Sequence, residues 1–244
     1  MPMIDCVLPD RLPGKGRRLR AVAKTPAMCR RWLMGAALLS LLLVPMTAIG
    51  HPHAWIDLRT QLVIDDDGHV TGLRQHWEID PLYSLMLMEE FGSAGDDGDR
   101  DEGLQRLADT MLSNMAEFDY MTRLTIDGER TAWDQVRNVQ LTVDDATDSL
   151  HFRFTLLLSE PLALGGRELE YAVYDPTYYI EVLHADDEVI DTGALGSECS
   201  VRVREPDPPE SLVERMARID RSGEPTEENV GQRFAERVRI ACSA

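Results

Sequence analysis

The sequence predicts a single α+β domain, built mainly of antiparallel sheet from short strands, with two to four helices. Short segments of alternating apolar and polar residues are joined by Asp-Gly, Asp-Asp and Gly-Gly turns, whereas apolar residues at helical spacing occur in only a few places. No Pro/Gly/Ser-rich linker divides residues 51–244, so this part of the chain can bury one sizeable core.

The first 50 residues have the order of a secretory signal peptide. They carry eight Lys/Arg against two acids, and two arginines precede the apolar run WLMGAALLSLLLV, which small residues follow at the −3 and −1 positions of a cut before His51. Thirteen apolar-biased residues are too few to span a bilayer comfortably. We expect cleavage, a periplasmic domain at residues 51–244 and no stable membrane span after the cut; a retained signal anchor is the alternative. Met28 opens a more ordinary signal peptide than Met1, which makes residues 1–27 a candidate mis-assigned start.

The first half of the domain predicts a hairpin followed by two helices. Two alternating segments, HAWIDLRTQLVI and VTGLRQHWEI, flank the turn DDDGH. Asp80 is placed to cap a short helix with Pro81 at its first position. After the acidic segment DDGDRDEG, the segment LQRLADTMLSNMAEF has its apolar residues on one helical face.

The second half returns to strands and closes with one or two helices. The strand segments are YMTRLTIDG, NVQLTVDD, SLHFRFTLLL, RELEYAVYD and a weaker SVRVRE. The helices are predicted in DPPESLVERMARID, where prolines stand near the first turn, and in NVGQRFAERVRIAC.

The net charge of residues 51–244 excludes some classes of binding partner. Residues 51–244 contain 17 arginines, no lysine and 41 acids, so their formal charge is −24. Such a surface repels nucleic acid and anionic lipid, which excludes both as expected partners.

Cys199 and Cys242 are the two cysteines left after cleavage, and an even pair in an exported protein favours a disulfide over a metal pair or two free thiols.

The new N-terminus suggests a metal site at His51 and His53. Cleavage before His51 would place an α-amine and an imidazole on one residue, and His53 would add a third nitrogen from the same strand face. Imidazole suits zinc, copper and nickel, so the ligands do not choose among them. His76, on the second hairpin strand, is the next candidate ligand. The alternative is that the histidines lie on a wet strand edge and bind nothing.

The other candidate sites are weaker. His151 and His184 are expected to be surface or packed histidines, and His69 to be solvated in the turn. The acidic segment fits a calcium loop poorly, because Glu102 stands where glycine is required and Ala108 where a bidentate glutamate belongs. Calcium is therefore not expected.

A cluster of tyrosines marks a possible ligand or partner surface. In YAVYDPTYYIEV, Asp175 and the following proline predict a turn between two strands, with Tyr174, Tyr178 and Tyr179 as amphipathic anchors. Structural packing is the favoured interpretation, and an aromatic wall of a ligand site is the alternative.

The motifs of common catalytic sites are missing from the sequence. There is no G-x-S-x-G elbow, no H-E-x-x-H, no P-loop and no dinucleotide fingerprint. We therefore expect a protein that is not an enzyme.

Several of these segments together resemble a known bacterial family. The leader followed by HPHAWIDL, then DDDGHVTGLRQHWEID, YDPTYYIEV and a late cysteine after FAERVRI are similar to the exported proteins catalogued as domain of unknown function 1007. The resemblance implies a soluble periplasmic component of an ABC-type transport system, associated with nickel/cobalt or zinc transport and without established catalytic activity. The chain lacks the alternating strand–helix pattern of a two-lobed binding protein.

Two functions follow. The first is a periplasmic accessory of a transport system that binds or hands over a divalent transition metal (zinc, nickel, cobalt or copper) through His51, His53 and His76. The second is a non-catalytic module that docks an inner-membrane permease, in which the histidines are incidental.

Overall fold

A computed structural model of the chain describes residues 51–90, 100–185, 190–193, 195, 199–219 and 227–243. These residues belong to one unit, Ala48–Ala244. The predicted signal peptide lies outside the described residues, as does the first half of the acidic segment, so both remain predictions.

Eleven strands occur in the described residues, most of them at the alternating segments. They are β1 (Ala54–Ile64), β2 (Val70–Ile79), β3 (Thr122–Ile126), β4 (Glu129–Thr131), β5 (Gln135–Asp144), β6 (Ser149–Leu162), β7 (Glu168–Val173), β8 (Ile180–His184), β9 (Ile190–Asp191), β10 (Cys199–Arg204) and β11 (Arg237–Cys242).

Three α-helices occur in the same residues: α1 (Pro81–Glu90), α2 (Arg100–Ala116) and α3 (Glu210–Met216). Short 3₁₀ turns lie at Asp119–Met121 and Val230–Arg233. Helix α2 begins four residues before the predicted segment, so the second half of the acidic segment forms its first turn.

The strands form two sheets, and nearly all neighbouring strands are antiparallel. The first sheet has the order β5-β6-β2-β1-β8, with β9 also paired to β1, and the second has the order β10-β11-β7-β3-β4. The exceptions lie at one edge of the first sheet, where β8 and β9 run parallel to β1. The α+β class with mainly antiparallel sheets is confirmed.

The core lies between the two sheets. Alternate residues of the first sheet, such as Leu58, Trp77 and Phe154, share one buried cluster with Leu124 and Val238 of the second. Buried polar groups also link the sheets: Thr60 and Tyr171 share a hydrogen bond of 2.6 Å, and the Gln75 amide donates to Thr122 at 2.9 Å. Because side chains alternate along a strand, the odd-numbered residues of β1 and the even-numbered residues of β2 face outward.

The prediction of a helix in the last segment of the chain is wrong. The end of NVGQRFAERVRIAC forms strand β11, which alternates buried Val238 and Ile240 with Arg237 and Arg239. The β-branched residues of the RVRI stretch fit the pleated inner face of the second sheet instead. Helix α3 at Glu210–Met216 is the one of the two predicted C-terminal helices that forms.

Strand β11 also brings the two cysteines together. Cys199 on β10 is the register partner of Cys242, and a disulfide joins them. The pair predicted from the cysteine count is therefore present in the structure.

Within the part of the chain that the structure describes, none of the helices has both the length and the apolar character that a membrane crossing requires.

Candidate metal centre and neighbouring histidines

Backbone hydrogen bonds fix the two histidines that precede β1. The His51 N–H donates to the Met216 carbonyl at the end of α3 (3.2 Å), and the His53 N–H donates to the Tyr179 carbonyl (2.8 Å). The second bond starts the parallel pairing of β1 with β8, in which Ala54 is the partner of Ile180. Both imidazoles are therefore held at the edge where the first and last thirds of the domain meet.

The imidazoles of His51 and His53 pack against each other and against Tyr179. Their ring centroids are 4.9 Å apart, and Tyr179 lies 4.9 Å from His53 and 5.9 Å from His51. Tyr83 of α1 extends the group, with its ring 6.3 Å from that of Tyr179. We call these four residues the His–Tyr cluster.

The His51 ring is buried, yet its Nδ1 atom has no hydrogen-bond partner among the described residues. A buried imidazole nitrogen without a partner costs free energy, because it gave up hydration without compensation. Among the described residues, no third histidine, cysteine or carboxylate groups with this pair at ligand distance. A metal held here would therefore take its remaining ligands from the α-amine of a cleaved chain or from outside the protein.

The turn between β7 and β8 positions Tyr179. The Asp175 carboxylate accepts hydrogen bonds from the backbone N–H and hydroxyl of Thr177 and from the N–H of Ile180, at 2.9 to 3.0 Å. These bonds close the turn that the Asp-Pro pair predicts. Gly231 packs directly under it, since a Cβ at this glycine would lie 1.8 Å from the Asp175 carbonyl oxygen.

The three predicted tyrosines have different environments. Tyr178 is buried, stacks on Phe234 with ring centroids 3.8 Å apart, and donates its hydroxyl to Glu181. Tyr174 is half-buried and accepts a long hydrogen bond of 3.5 Å from Asn229. With Tyr178 and Asp175 both buried, these residues do not form one exposed partner surface; Tyr179 and Asp175 line a cavity instead.

That cavity has a volume of about 370 Å³ and lies between the first sheet and helices α1 and α2. Its walls are mostly apolar, with Trp77 of β2 and Met111 and Met115 of α2 among them, and Tyr83, Asp175 and Tyr179 supply polar groups. Burial, followed by the charges of nearby acids and the Tyr179 hydroxyl, raises the pKa of Tyr83 to about 12. Tyr83 is therefore a neutral hydrogen-bonding group at physiological pH.

Asp80 sets the position of α1 against the His–Tyr cluster. Its carboxylate accepts the N–H of Tyr83, which confirms the predicted N-cap, and its other oxygen accepts the N–H of Trp55, each at 3.0 Å. One side chain therefore ties the start of β1 to the first turn of the helix that carries Tyr83.

The third predicted metal ligand, His76, lies far from His51 and His53. It is the register partner of Arg59, six residues along β1 from His53, which corresponds to roughly 20 Å. His76 Nε2 instead shares a 2.8 Å hydrogen bond with His151 Nδ1 on β6. The structure brings His51 and His53 together but excludes His76 from the same metal ion.

The surroundings of His76 disfavour its charged form. Burial, followed by Arg153, His151 and Arg59, lowers its pKa to about 4, and Glu78 opposes this only weakly. The sequence pattern holds a signal for the His76–His151 contact, since both residues alternate with buried neighbours, but the strand pairing that aligns them is not visible in it.

His184 belongs to a buried hydrogen-bond chain that sequence reasoning missed. Its Nδ1 and backbone N–H both contact the Glu236 carboxylate, at 2.8 and 2.7 Å, and its Nε2 lies 3.4 Å from the Tyr171 hydroxyl. Burial raises the pKa of Glu236, but the hydrogen bonds from His184 lower this pKa by more than burial raises it. The pKa of Glu236 therefore lies below its usual value. Every nitrogen of His184 has a partner, which gives this histidine a structural role.

The hairpin turn holds a third arrangement, in which ligand atoms of Asp65, Asp67 and His69 lie within 4.8 Å of one another. The Asp65 carboxylate already accepts the N–H groups of Asp67 and His69. These bonds are those of an ordinary aspartate turn, and His69 is part of it rather than simply solvated.

The molecule is thus an α+β protein of two sheets, with a partly buried histidine–tyrosine cluster beside an apolar cavity. A family model described as "Protein of unknown function (DUF1007)" matches residues 36–242, and the chain belongs to that family. It is also 24% identical over 201 residues to an uncharacterized protein of Haemophilus influenzae, which covers 82% of this chain and 95% of that protein.

Proposed function

We propose that this protein is an exported, non-catalytic accessory of a transport system that binds a divalent transition metal at His51 and His53. The observation that carries the proposal is the His51 imidazole, which is buried, lies against a second imidazole and has an Nδ1 atom without a hydrogen-bond partner among the described residues. A metal ion would satisfy that atom.

The donor set fits a borderline metal. Two imidazoles and the α-amine freed by cleavage before His51 give three nitrogen ligands, a set that zinc, nickel, cobalt and copper all accept. Pro52 lacks an N–H, so the copper or nickel site that uses deprotonated backbone amides at positions two and three cannot form. An open coordination position then remains for a solvent molecule or for a group on the protein that receives the metal.

Charge and packing support the same proposal. The formal charge of −24 on residues 51–244 raises the local concentration of cations. Tyr179 contacts both rings and limits their rotation, as groups around a metal ligand commonly do. The link to a permease rests on the family resemblance and on the expected export.

The experiment compares two forms of the exported protein by calorimetry with zinc, nickel and copper. One form begins at His51 and the other carries a single glycine before it, which moves the amine away but keeps both imidazoles. We expect the extension to weaken binding of at least one metal by about 100-fold, the loss of one ligand from three. If neither form binds any of the three metals, the proposal is wrong; if both bind equally, the amine is not a ligand.

A second candidate function, docking to a permease, is favoured by one observation. Trp55 at the start of β1 and Leu82 and Leu85 on α1 are about half exposed or more, although they are large and apolar. A double substitution of both leucines to aspartate would abolish such docking and leave metal titration unchanged, which separates the two functions.

A further inference from the structure

The outer face of the first sheet carries an open cleft of about 650 Å³ lined by basic side chains. Arg59, Arg74, His76 and Arg153 form its walls, with Gln61 and Asp191 at the edge. This cleft lies on the solvent side of the sheet, away from the His–Tyr cluster.

Strand pairing sets the spacing of these groups. Arg59, His76 and Arg153 are register partners on three adjacent strands, so their Cα atoms follow one another at about 5 Å. Arg74 lies two residues before His76 and faces the same side of the sheet. The three guanidinium groups and the imidazole therefore originate within two rows of one sheet face.

The charges in the cleft are only partly compensated. Arg59 contacts Glu78 at 3.4 Å. Arg74 donates to the side-chain amide oxygen of Gln61 at 2.5 Å and makes no ion pair with an acid that the structure describes. Arg153 makes no hydrogen bond or ion pair with any residue that the structure describes. The Asp191 carboxylate accepts hydrogen bonds from Gln61 and from the backbone of Gly193.

About half of the described arginines outside the cleft form an ion pair with a described acid. Arg100 contacts Asp145 at 2.8 Å, and Arg167 contacts Asp127 at 2.7 Å. In a domain with 41 acids and 17 arginines, neutralising partners are abundant. The cleft differs from the rest of the surface because Arg74 and Arg153, both without an ion pair, lie together with Arg59 on one concave face, and this convergence suits an anion from solution.

A further polar group on the same face lacks a partner. Thr155 is the register partner of Arg74, it is buried, and its hydroxyl has no hydrogen bond among the described residues. The Thr155 hydroxyl lies beneath the face and does not line the cleft, so the arginines and His76 are the groups that can contact a ligand there.

We propose that the cleft binds a compact oxyanion with two negative charges, of the sulfate or phosphate type. The guanidinium groups of Arg74 and Arg153 hold the anion by charge-assisted hydrogen bonds, and Arg59 adds to the field. The His76 imidazole is the neighbouring group that gains a proton when the anion is bound. This proposal is independent of the metal site and does not require it.

Several charged or titratable groups face His76 and affect how anion binding depends on pH. On its own strand and on the strands beside it they are Asp57, Arg59, Arg74, Glu78, His151 and Arg153, with Asp144 of β5 3.8 Å from His151 and Asp191 of β9 at the edge of the cleft. Sulfate keeps both charges throughout the relevant pH range, so a change in its affinity reports the protein. We expect tighter sulfate binding at pH 5 than at pH 8, because a dianion beside His76 favours the imidazolium form.

The test is a titration of the exported protein, produced from the full chain, with sodium sulfate at constant ionic strength set by chloride. The ring resonances of His76 and His151 are followed by NMR. We expect saturable shifts with sulfate and a loss of affinity of at least about tenfold in Arg153→Gln, while Arg202→Gln on β10, an exposed arginine of the second sheet, stays within about twofold of wild type. His76→Asn is expected to retain binding at pH 8 and to lose the gain at pH 5.

Three outcomes would overturn the proposal. Equal shifts with sulfate and chloride would mean screening only. An Arg153→Gln variant that remains folded by circular dichroism and binds like wild type would remove the principal contact. Binding to phosphatidylglycerol vesicles without binding to free sulfate would assign the face to a membrane surface instead of a soluble oxyanion.

Discussion

Two pairs of histidines lie in contact in this protein, and their surroundings differ in almost every respect. The His51–His53 pair packs among tyrosine rings, beside an apolar cavity and without a neighbouring arginine in its ring contacts. The His76–His151 pair lies on an open sheet face among three arginines. The surroundings of an imidazole therefore decide what it can bind. The aromatic rings leave one His51 nitrogen without a partner, where we propose a metal, whereas the guanidinium groups near His76 repel a cation and suit the anion that we propose there.

The largest expected effect on zinc affinity comes from replacing both histidines of one pair and comparing the result with the same replacement in the other pair. We expect His51→Asn with His53→Asn to reduce zinc affinity by more than about 100-fold, because two nitrogen ligands are lost. His76→Asn with His151→Asn should change it by less than about threefold. Calorimetry on protein beginning at His51 measures both, and equal losses in the two variants would contradict the distinction.

The next largest effect is expected at Gly231, which supports only the first pair. In Gly231→Ala the new Cβ would overlap the Asp175 carbonyl, so the turn carrying Tyr179 must move. We expect a loss of about 2 kcal/mol in the free energy of unfolding by urea, together with weaker zinc binding.

Gly165→Ala is the matched control, since the nearest atom to its added Cβ lies 3.9 Å away. Its stability should stay within about 0.5 kcal/mol of wild type. If Gly231→Ala unfolds like this control and binds zinc normally, the turn does not hold the cluster in place.

The pH dependence of the free energy of unfolding should depend on the His76–His151 pair. Because the folded protein lowers the pKa of His76 from 6.5 to about 4, the unfolded chain binds more protons in that interval. Stability is therefore lost as the pH falls from 6.5 to about 4, and His76→Asn should flatten this part of the curve. Urea unfolding across this range, with the His76 ring followed by NMR, is the measurement; a variant whose curve runs parallel to wild type would contradict it.

The smallest effect is expected where α1 meets β1. Asp80→Ala removes the carboxylate that accepts the N–H groups of Tyr83 and Trp55, and should cost about 1 kcal/mol of unfolding free energy. Asp80→Asn keeps one acceptor oxygen for two N–H groups, so it should recover only part of this loss. Zinc affinity should fall only slightly in the alanine variant, because Tyr83 lies at the outer side of the cluster.

Local patterns predicted much of this fold. The β1–β2 hairpin follows from alternation around an Asp-Gly turn, and α1 follows from Asp80 and Pro81, because these signals act over a few residues. The disulfide follows from counting cysteines. The parallel pairing of β1 with β8 and the strand at Arg237–Cys242 were missed, since both depend on partners far along the chain.

The candidate sites show the same limit. His51 and His53 were recognisable because they are neighbours in sequence. His76 was assigned to the wrong group because alternation gives the face of a strand but not its neighbour in the sheet, and only the register reveals His151. The contact of His184 with Glu236 spans 52 residues and leaves no local signature.

The parallel ladder between β1 and β8 also governs the order in which the molecule is assembled. Ala54–Leu58 pair with Ile180–His184, so the opening strand has no edge partner on this side until most of the chain has been synthesised. The backbone N–H of His53 likewise has its partner, the Tyr179 carbonyl, far along the chain. In the proposed function, the backbone bonds that hold His51 and His53 would therefore form only after the final third of the polypeptide has arrived.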